Sequence, residues 1–364
     1  MRANGGTGYC TDQSGLRELI VNINIDRQRQ SIIEQITPLI PRHILAHYPT
    51  PLMSARRLTG LLQSPKIWFK RDDLISFGLG GNKVRGLEVL LADALAQKAT
   101  RLVTGAGVQS NHVRTTAAVA AHAGMSCTAV YWGNPPAQID GNYRVTKMLG
   151  SSIYFTEDED RSSVDFHISL VAEKFSQQGE VPYAIPRGGA CVLGVLGHVL
   201  AVFELYQQCL ALNLSPDAIV FAVGSGGTYA GWLIGTRLLN LPWRLECYSV
   251  SREPELVRQQ VARLATEAAQ YLHLDLSFSV DDTPVHGGFI GAGYGIPSTE
   301  GAAAIHIVGR SEGLLLDPTY TGKAMAGFLY GLANQQFADC QNIIFLHTGG
   351  EPAFFAGSGE WLND

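Results

Sequence analysis

The chain has 364 residues, 46% of them hydrophobic and 16% charged, enough apolar material for two lobes with sizeable cores and too much for overall disorder. Its net charge is −5 with no long basic run, which argues against nucleic acid and anionic membranes as partners. Six scattered cysteines (Cys10, Cys127, Cys191, Cys209, Cys247, Cys340) show no CxxC, and no Cys, His or acidic group has metal-ligand spacing, so reduced thiols in a cytoplasmic protein and no metal are expected. The N-terminus lacks an apolar segment behind a basic start, and no apolar stretch is read as long enough to span a membrane.

Residues 1–42 read as an appendage: a Gly-rich tip, a polar helix-compatible stretch over 16–36, then Pro38 and Pro41. The run His47-Tyr48-Pro49-Thr50-Pro51 is extended, since residues before proline avoid the helical region. A strand over 67–71 follows. From there strands and helices alternate. Helices are expected at 84–97, 111–123, 143–149, 163–178, 192–212, 229–239, 254–271, 298–312 and 321–337. Strands are expected at 101–105, 127–132, 152–155, 182–185, 218–223, 244–250 and 342–346. Such alternation predicts an α/β protein of doubly wound parallel sheets, whose ligands sit at the carboxyl ends of strands. The domains expected are 43–80 with 187–364 as the larger and 81–186 as the smaller.

Four motifs fall at those strand ends. Gly80-Gly81-Asn82-Lys83 puts a lysine behind paired glycines at a helix start, where a dry amine can lose its proton and form a Schiff base; a solvated helical lysine is the plain alternative. Gln109-Ser110-Asn111-His112 opens a helix, either as a simple cap or as a polar shelf for a carboxylate and a ring hydroxyl. Gly224-Ser225-Gly226-Gly227-Thr228 joins a strand to a helix and can cradle an anion with backbone amides. It is not a P-loop, and as a dinucleotide fingerprint it lacks the third glycine, although Glu246 stands where a ribose-binding acid would. Thr348, in His347-Thr348-Gly349-Gly350, offers a hydroxyl at the last strand end, and Tyr294 and Tyr320 are either core aromatics or site hydroxyls.

Taken together, LxHxPTPL, FKRDDL, GGNKVR, QSNHVRTTAAVAA, GSGGT, GYG, DPTYTGKA and HTGG resemble the pyridoxal-phosphate enzymes of the 1-aminocyclopropane-1-carboxylate deaminase and D-cysteine desulfhydrase family, in the family's order from His43 onward. The resemblance implies the fold of the tryptophan-synthase β-subunit type (PLP fold type II), pyridoxal 5′-phosphate as cofactor, and a homodimer. It implies Lys83 as the Schiff-base lysine and α-proton base, and Gly224, Ser225, Gly226, Gly227 and Thr228 as the phosphate cradle. Asn82 and Asn111 would contact the cofactor, and Thr321 or Thr348 its ring nitrogen. Ser110, Asn111 and His112 would meet the substrate carboxylate, with Tyr294 and Tyr320 on the substrate side as catalytic hydroxyls.

His112 and Tyr320-Thr321 resemble the desulfhydrase branch; deaminases usually carry QSNQ and a Tyr-Glu pair. An uncharged ring partner suits β-elimination of a good leaving group better than cyclopropane opening. The expected reaction is therefore α,β-elimination from a β-substituted alanine, giving a keto acid and ammonia. Gly86, the 187–191 loop and His198 depart from the family's usual residues and leave room for L-cysteate or a specialised biosynthetic substrate. A dinucleotide-dependent oxidoreductase resting on Gly224 and Glu246 is the rival outside the family.

Overall fold

The computed structural model describes residues 13–362. These fall into two compact units, and the chain divides between Leu39 and Ile40. The first consists of helix α1 (Gln13–Ile36) and a short 3-10 turn, Thr37–Leu39. The Gly-rich tip and Cys10 lie outside the described residues.

The second unit holds two sheets. Strands β1 (Leu52–Ser54) and β2 (Lys66–Arg71) come first, separated by α2 (Arg56–Leu62), and α3 (Lys83–Ala96) follows. Then β3 (Arg101–Ala106), α4 (Asn111–His122), β4 (Ser126–Tyr131), α5 (Gly141–Met148), β5 (Ser152–Phe155), α6 (Ser163–Gln177) and β6 (Pro182–Ala184) form a four-stranded parallel sheet, ordered β5-β4-β3-β6, with its helices. The chain returns through α7 (Val192–Leu212), β7 (Ala218–Val223), α8 (Gly227–Leu238), β8 (Arg244–Ser249), α9 (Pro254–Tyr271), β9 (Val285–His286), α10 (Thr299–Glu312), α11 (Thr321–Ala333), β10 (Asn342–His347) and α12 (Glu351–Phe354). These complete a six-stranded sheet ordered β1-β2-β10-β7-β8-β9, parallel except where β1 runs against β2.

Register brings the functional loops to one side. His347 pairs with Arg71 and Val223 with Ser249, so the loops after β2, β10, β7 and β8 leave the large sheet side by side. Ala106 pairs with Tyr131, which sets the 107–110 loop beside Trp132 at the same end of the small sheet. Phe69, Val220 and Phe345 of the large sheet pack on Met325 and Phe328 of α11, while Leu102 of the small sheet packs on Leu87 and Ala117.

Helices α3 and α7 cross where neither carries a side chain. A Cβ on Gly86 would stand 2.6 Å from the Gly194 carbonyl, and one on Gly197 would collide with that of Arg85. That close approach accounts for glycine at position 86 in this chain.

Several details differ from the sequence expectation. Helix α11 ends at Ala333, and β1, α2 and β9 were not expected because short edge elements carry little periodicity. Helix α7 is long and apolar enough to meet the length and composition of a membrane span, contrary to the sequence expectation. It is mostly buried within the protein and packs on α3 and α8, which is why apolar residues dominate it.

Candidate active site

A cavity of about 680 Å³ opens where those loops gather, and it is lined by Asn82, Lys83, Ser110, Asn111, His112, Gly224, Ser225, Gly226, Thr228, Tyr294, Tyr320 and Thr348 among others. Most of the candidates read from the sequence thus come together in one place. Gly227 is buried at the first turn of α8, behind the loop. Thr321 does not line the cavity.

Lys83 is the only lysine on the cavity wall among the described residues. Its Nζ lies 3.4 Å from the Gly188 carbonyl and pairs with no carboxylate, and burial lowers its pKa to about 8. The amine is therefore far easier to deprotonate than an exposed lysine. A second buried lysine, Lys323, serves the structure instead. Its Nζ donates to the Ile290 and Gly293 carbonyls at 2.6 and 2.9 Å, pinning the loop that carries Tyr294.

The strand-to-helix turn after β7 builds the anion cradle. Gly226 takes a φ of +92°, and the first amides of α8 point out of the helix start without intrahelical acceptors. The Asn82 side-chain amide donates to Thr228 Oγ1 at 2.9 Å, so the lysine segment and the cradle are tied directly. Gly224 sits against the Tyr320 ring, 3.3 Å from where its Cβ would be.

On the opposite wall, Ser110 caps α4 by accepting from the Val113 amide at 3.3 Å, which leaves its own proton free. Asn111 Oδ1 accepts from Asn142 Nδ2 at 2.9 Å, so the Asn111 side chain has its N–H₂ group left to donate. His112 is oriented too. The hydroxyls of Thr104 and Thr116 donate to the Ile185 and His112 carbonyls, so each can only accept from His112 Nε2, at 3.1 and 3.5 Å. The ring thus carries its proton on Nε2 and presents Nδ1 as an acceptor. Burial and the nearby Lys83 lower its pKa to about 3 and keep it neutral. In that tautomer the ring offers an uncharged acceptor.

Tyr294 and Tyr320 meet hydroxyl to hydroxyl at 2.6 Å, and burial raises both so that they stay protonated. Of the two threonines, Thr348 lines the cavity, with its carbonyl accepting from the Asn82 amide at 3.0 Å. The Thr321 hydroxyl is closed off: it accepts from the Asp317 amide at 2.8 Å and donates to Asp317 Oδ1 at 2.7 Å. Glu246 lies away from the cavity, bound to His286 Nε2 at 2.6 Å between β8 and β9, which removes the ribose-binding acid on which the dinucleotide rival depended.

Trp132, Arg161, Arg187 and Arg252 also line the cavity; of these, only Arg187 stood out in the sequence, as a departure in its loop. Elsewhere, Asp73, His347 and Glu351 bring ligand-type atoms within 4.8 Å of one another, a grouping that no sequence spacing discloses. His347 Nδ1 accepts from the Gly349 amide at 3.4 Å and its Nε2 faces the Leu315 carbonyl at 3.0 Å, while Asp73 grips Arg71 with both oxygens.

A buried lysine without a counter-ion, an anion cradle and a facing amide donor define a pyridoxal-phosphate site on a doubly wound fold. The family model for pyridoxal-phosphate-dependent enzymes matches residues 44–349, and the chain belongs to that family. Among curated relatives, a D-cysteine desulfhydrase of Yersinia pestis (strain Pestoides F) is 39% identical over 328 residues, covering 89% of this chain and 98% of the relative. A D-cysteine desulfhydrase of Yersinia pseudotuberculosis serotype O:1b (strain IP 31758) is 40% identical over 320 residues, covering 87% and 96%. The solved structure of an ACC deaminase homologue superposes with a TM-score of 0.82 at 33% identity, covering 89% of this chain and 96% of that one. Maize serine racemase shares the fold, with a TM-score of 0.59 at 17% identity over 88% of this chain and 92% of that one. The protein is a pyridoxal-phosphate-dependent lyase of the type II fold.

The cradle supplies a direct check on where the phosphate goes. In Gly226→Val a side chain must sit at a left-handed φ, with its Cβ 3.1 Å from Val261. Retention of the cofactor on dialysis should fall by about tenfold, matching a strain of roughly 1–2 kcal/mol. A variant that holds cofactor as well as the parent would move the phosphate elsewhere.

Proposed function

We propose that the enzyme eliminates the β-substituent of a small amino acid, with D-cysteine as the reference substrate, giving a keto acid and ammonia. The observation that carries this reading is the makeup of the wall. Hydroxyls of Ser110, Tyr294, Tyr320 and Thr348 line it, and Asp160, exposed, is the only lining carboxylate among the described residues. Bound pyridoxal phosphate supplies an electron sink for the α-carbon. Lys83 and Asn82 would stand beside it, Gly224–Thr228 would hold its phosphate, Asn111 would donate to its ring oxygen, and Thr348 would offer its ring nitrogen an uncharged partner.

Ser110 and the α4 helix start receive the substrate carboxylate. The α C–H bond breaks and its proton goes to Lys83 Nζ. The Cβ–S bond breaks with its electron pair leaving on sulfur, where the protonated Tyr294–Tyr320 pair can donate. Water completes the conversion to pyruvate and ammonium. In steady-state assays, D-cysteine should yield pyruvate and ammonium while 1-aminocyclopropane-1-carboxylate yields only background. Faster turnover of the cyclopropane would overturn the branch and leave the cofactor assignment intact. The same reading has the enzyme working as a cytoplasmic homodimer, in keeping with free thiols at Cys127, Cys191, Cys209, Cys247 and Cys340.

A further inference from the structure

Three of the four arginines that line the cavity have too little negative charge near them to balance them. The guanidinium of Arg161 lies over two rings, 5.8 Å from that of Trp132 and 5.5 Å from that of Tyr294. Arg187 donates from Nη1 to the Arg161 carbonyl at 2.6 Å and pairs through Nη2 with Asp165 at 3.0 Å, but its Nε is buried and has no partner. Arg252 is partly buried, and its guanidinium makes no ion pair or hydrogen bond with any described group. All three line the same cavity.

The nearby carboxylates do not cancel them. Asp165 is exposed; it pairs with Arg187, and its charge also acts on Arg252, so one solvated carboxylate faces two guanidinium groups. Asp160 is exposed and already accepts from the Ser162 amide and hydroxyl. Glu157, Asp158 and Glu159 are exposed and do not line the cavity. Burial and the neighbouring Arg187, joined by Arg161, hold Arg252 below the usual guanidinium range, and the opposing pull of Asp165 does not offset them. Partly desolvated cations in this arrangement focus a positive field into the cavity and are stabilised by whatever anion enters.

We propose that Arg161, Arg187 and Arg252 form an anion-receiving subsite, and that the substrate is an amino acid with a second acidic group on or beyond its β-carbon. The inference rests on the proposed function, in which the α-carboxylate goes to Ser110 and the leaving group to the tyrosine pair. Arg161 covers the ring of Tyr294, so the subsite faces the leaving group and not the α-carboxylate. Sulfonate, phosphate and carboxylate share the required chemistry. For a sulfonate such as cysteate the step balances without oxidant or reductant. The α-proton goes to Lys83 and the Cβ–S bond breaks. Its electron pair departs on sulfur as sulfite, and one water turns the remainder into pyruvate and ammonium.

The test compares acids with their neutral isosteres on the holoenzyme: cysteate with its sulfonamide, aspartate with asparagine, and O-phosphoserine with serine, each as D and L forms. Dissociation constants come from titration calorimetry and from the change in the cofactor's visible absorbance. The acids should bind at least about tenfold more tightly than the isosteres, as charge-assisted hydrogen bonds require, and added salt should erode the difference. Arg161→Gln and Arg252→Gln should each remove about tenfold of that preference, while Arg252→Lys keeps most of it. The member bound best names the acid, and keto acid formation from it reports whether it is also the leaving group.

Equal binding of acids and isosteres overturns the subsite. So does a uniform loss in the variants, or a fall in cofactor content per chain, which would assign these arginines to the cofactor's phosphate. Turnover of D-cysteine without acid preference would sink the subsite and spare the elimination reading. Acid preference with no keto acid from any member would do the reverse.

Discussion

The Lys83→Ala protein should fold and lose turnover by about 10²–10⁴-fold or more, because it lacks both the Schiff-base amine and the group that takes the α-proton. Borohydride reduction of the wild type should fix the cofactor to Lys83 and leave Lys323 unlabelled, since the Lys323 amine is held by two carbonyls away from the cavity. The pH dependence follows from burial. With its pKa lowered to about 8, Lys83 of the apoenzyme gains neutral, nucleophilic amine as pH rises through that value. Reconstitution with cofactor should therefore accelerate between about pH 7 and 9, well below the ~10.4 of a free lysine. Peptide mapping that finds the label on another lysine, or a rate that climbs only above pH 10, would remove Lys83 from the centre of the site.

The parts of the site that were legible in the sequence are those made by local rules. A lysine after paired glycines, Ser110 before a helix and glycines between a strand and a helix each announce a backbone geometry within a few residues. The resemblance to a known family then joined them and supplied Tyr294 and Tyr320, whose contact spans 26 positions. What stayed hidden depends on partners brought in by the fold. The sequence left Thr321 and Thr348 equal, and only the two bonds to Asp317 show that the Thr321 hydroxyl is already engaged. The orientation of the His112 ring is likewise set from a distance, by the Thr104 hydroxyl, which donates to the Ile185 carbonyl across the sheet and accepts from Nε2. Arg161 and Arg252 stand in ordinary loops, and nothing nearby in sequence says that both face the same cavity. The fold itself was plain because buried parallel strands alternating with helices leave a strong pattern, whereas the three residues of β1 do not.

Glu204→Ala is expected to cost about 3–5 kcal/mol of stability, the range for stripping one partner from a buried ion network. Glu204, on α7, binds Lys70 of β2 and accepts from Arg85 of α3 at 2.9 and 3.0 Å; Asp72 takes the other side of Arg85 at 2.7 and 2.8 Å. Thr50 and Gln208 complete the set, with the Thr50 carbonyl 2.8 Å from Lys70 Nζ and Gln208 Oε1 2.6 Å from it. The Lys70 and Arg85 side chains are only 1% and 3% exposed, so the variant would leave two buried cations facing Asp72 alone. Arg85 lies two residues beyond Lys83, so the network also fixes the start of α3 and with it the direction of the Lys83 amine. Burial by itself would raise both acids, but Arg85, joined by Lys70, outweighs it and holds Asp72 and Glu204 below the usual carboxylate range. A depressed carboxylate stabilises the fold above its unfolded pKa and loses that contribution as pH falls through its folded one. Stability of the wild type to urea should therefore fall as pH drops below about 4, and Glu204→Ala should start lower and fall less steeply. Equal midpoints at pH 7, with parallel acid slopes, would show that the network contributes nothing to holding α3 and α7 together.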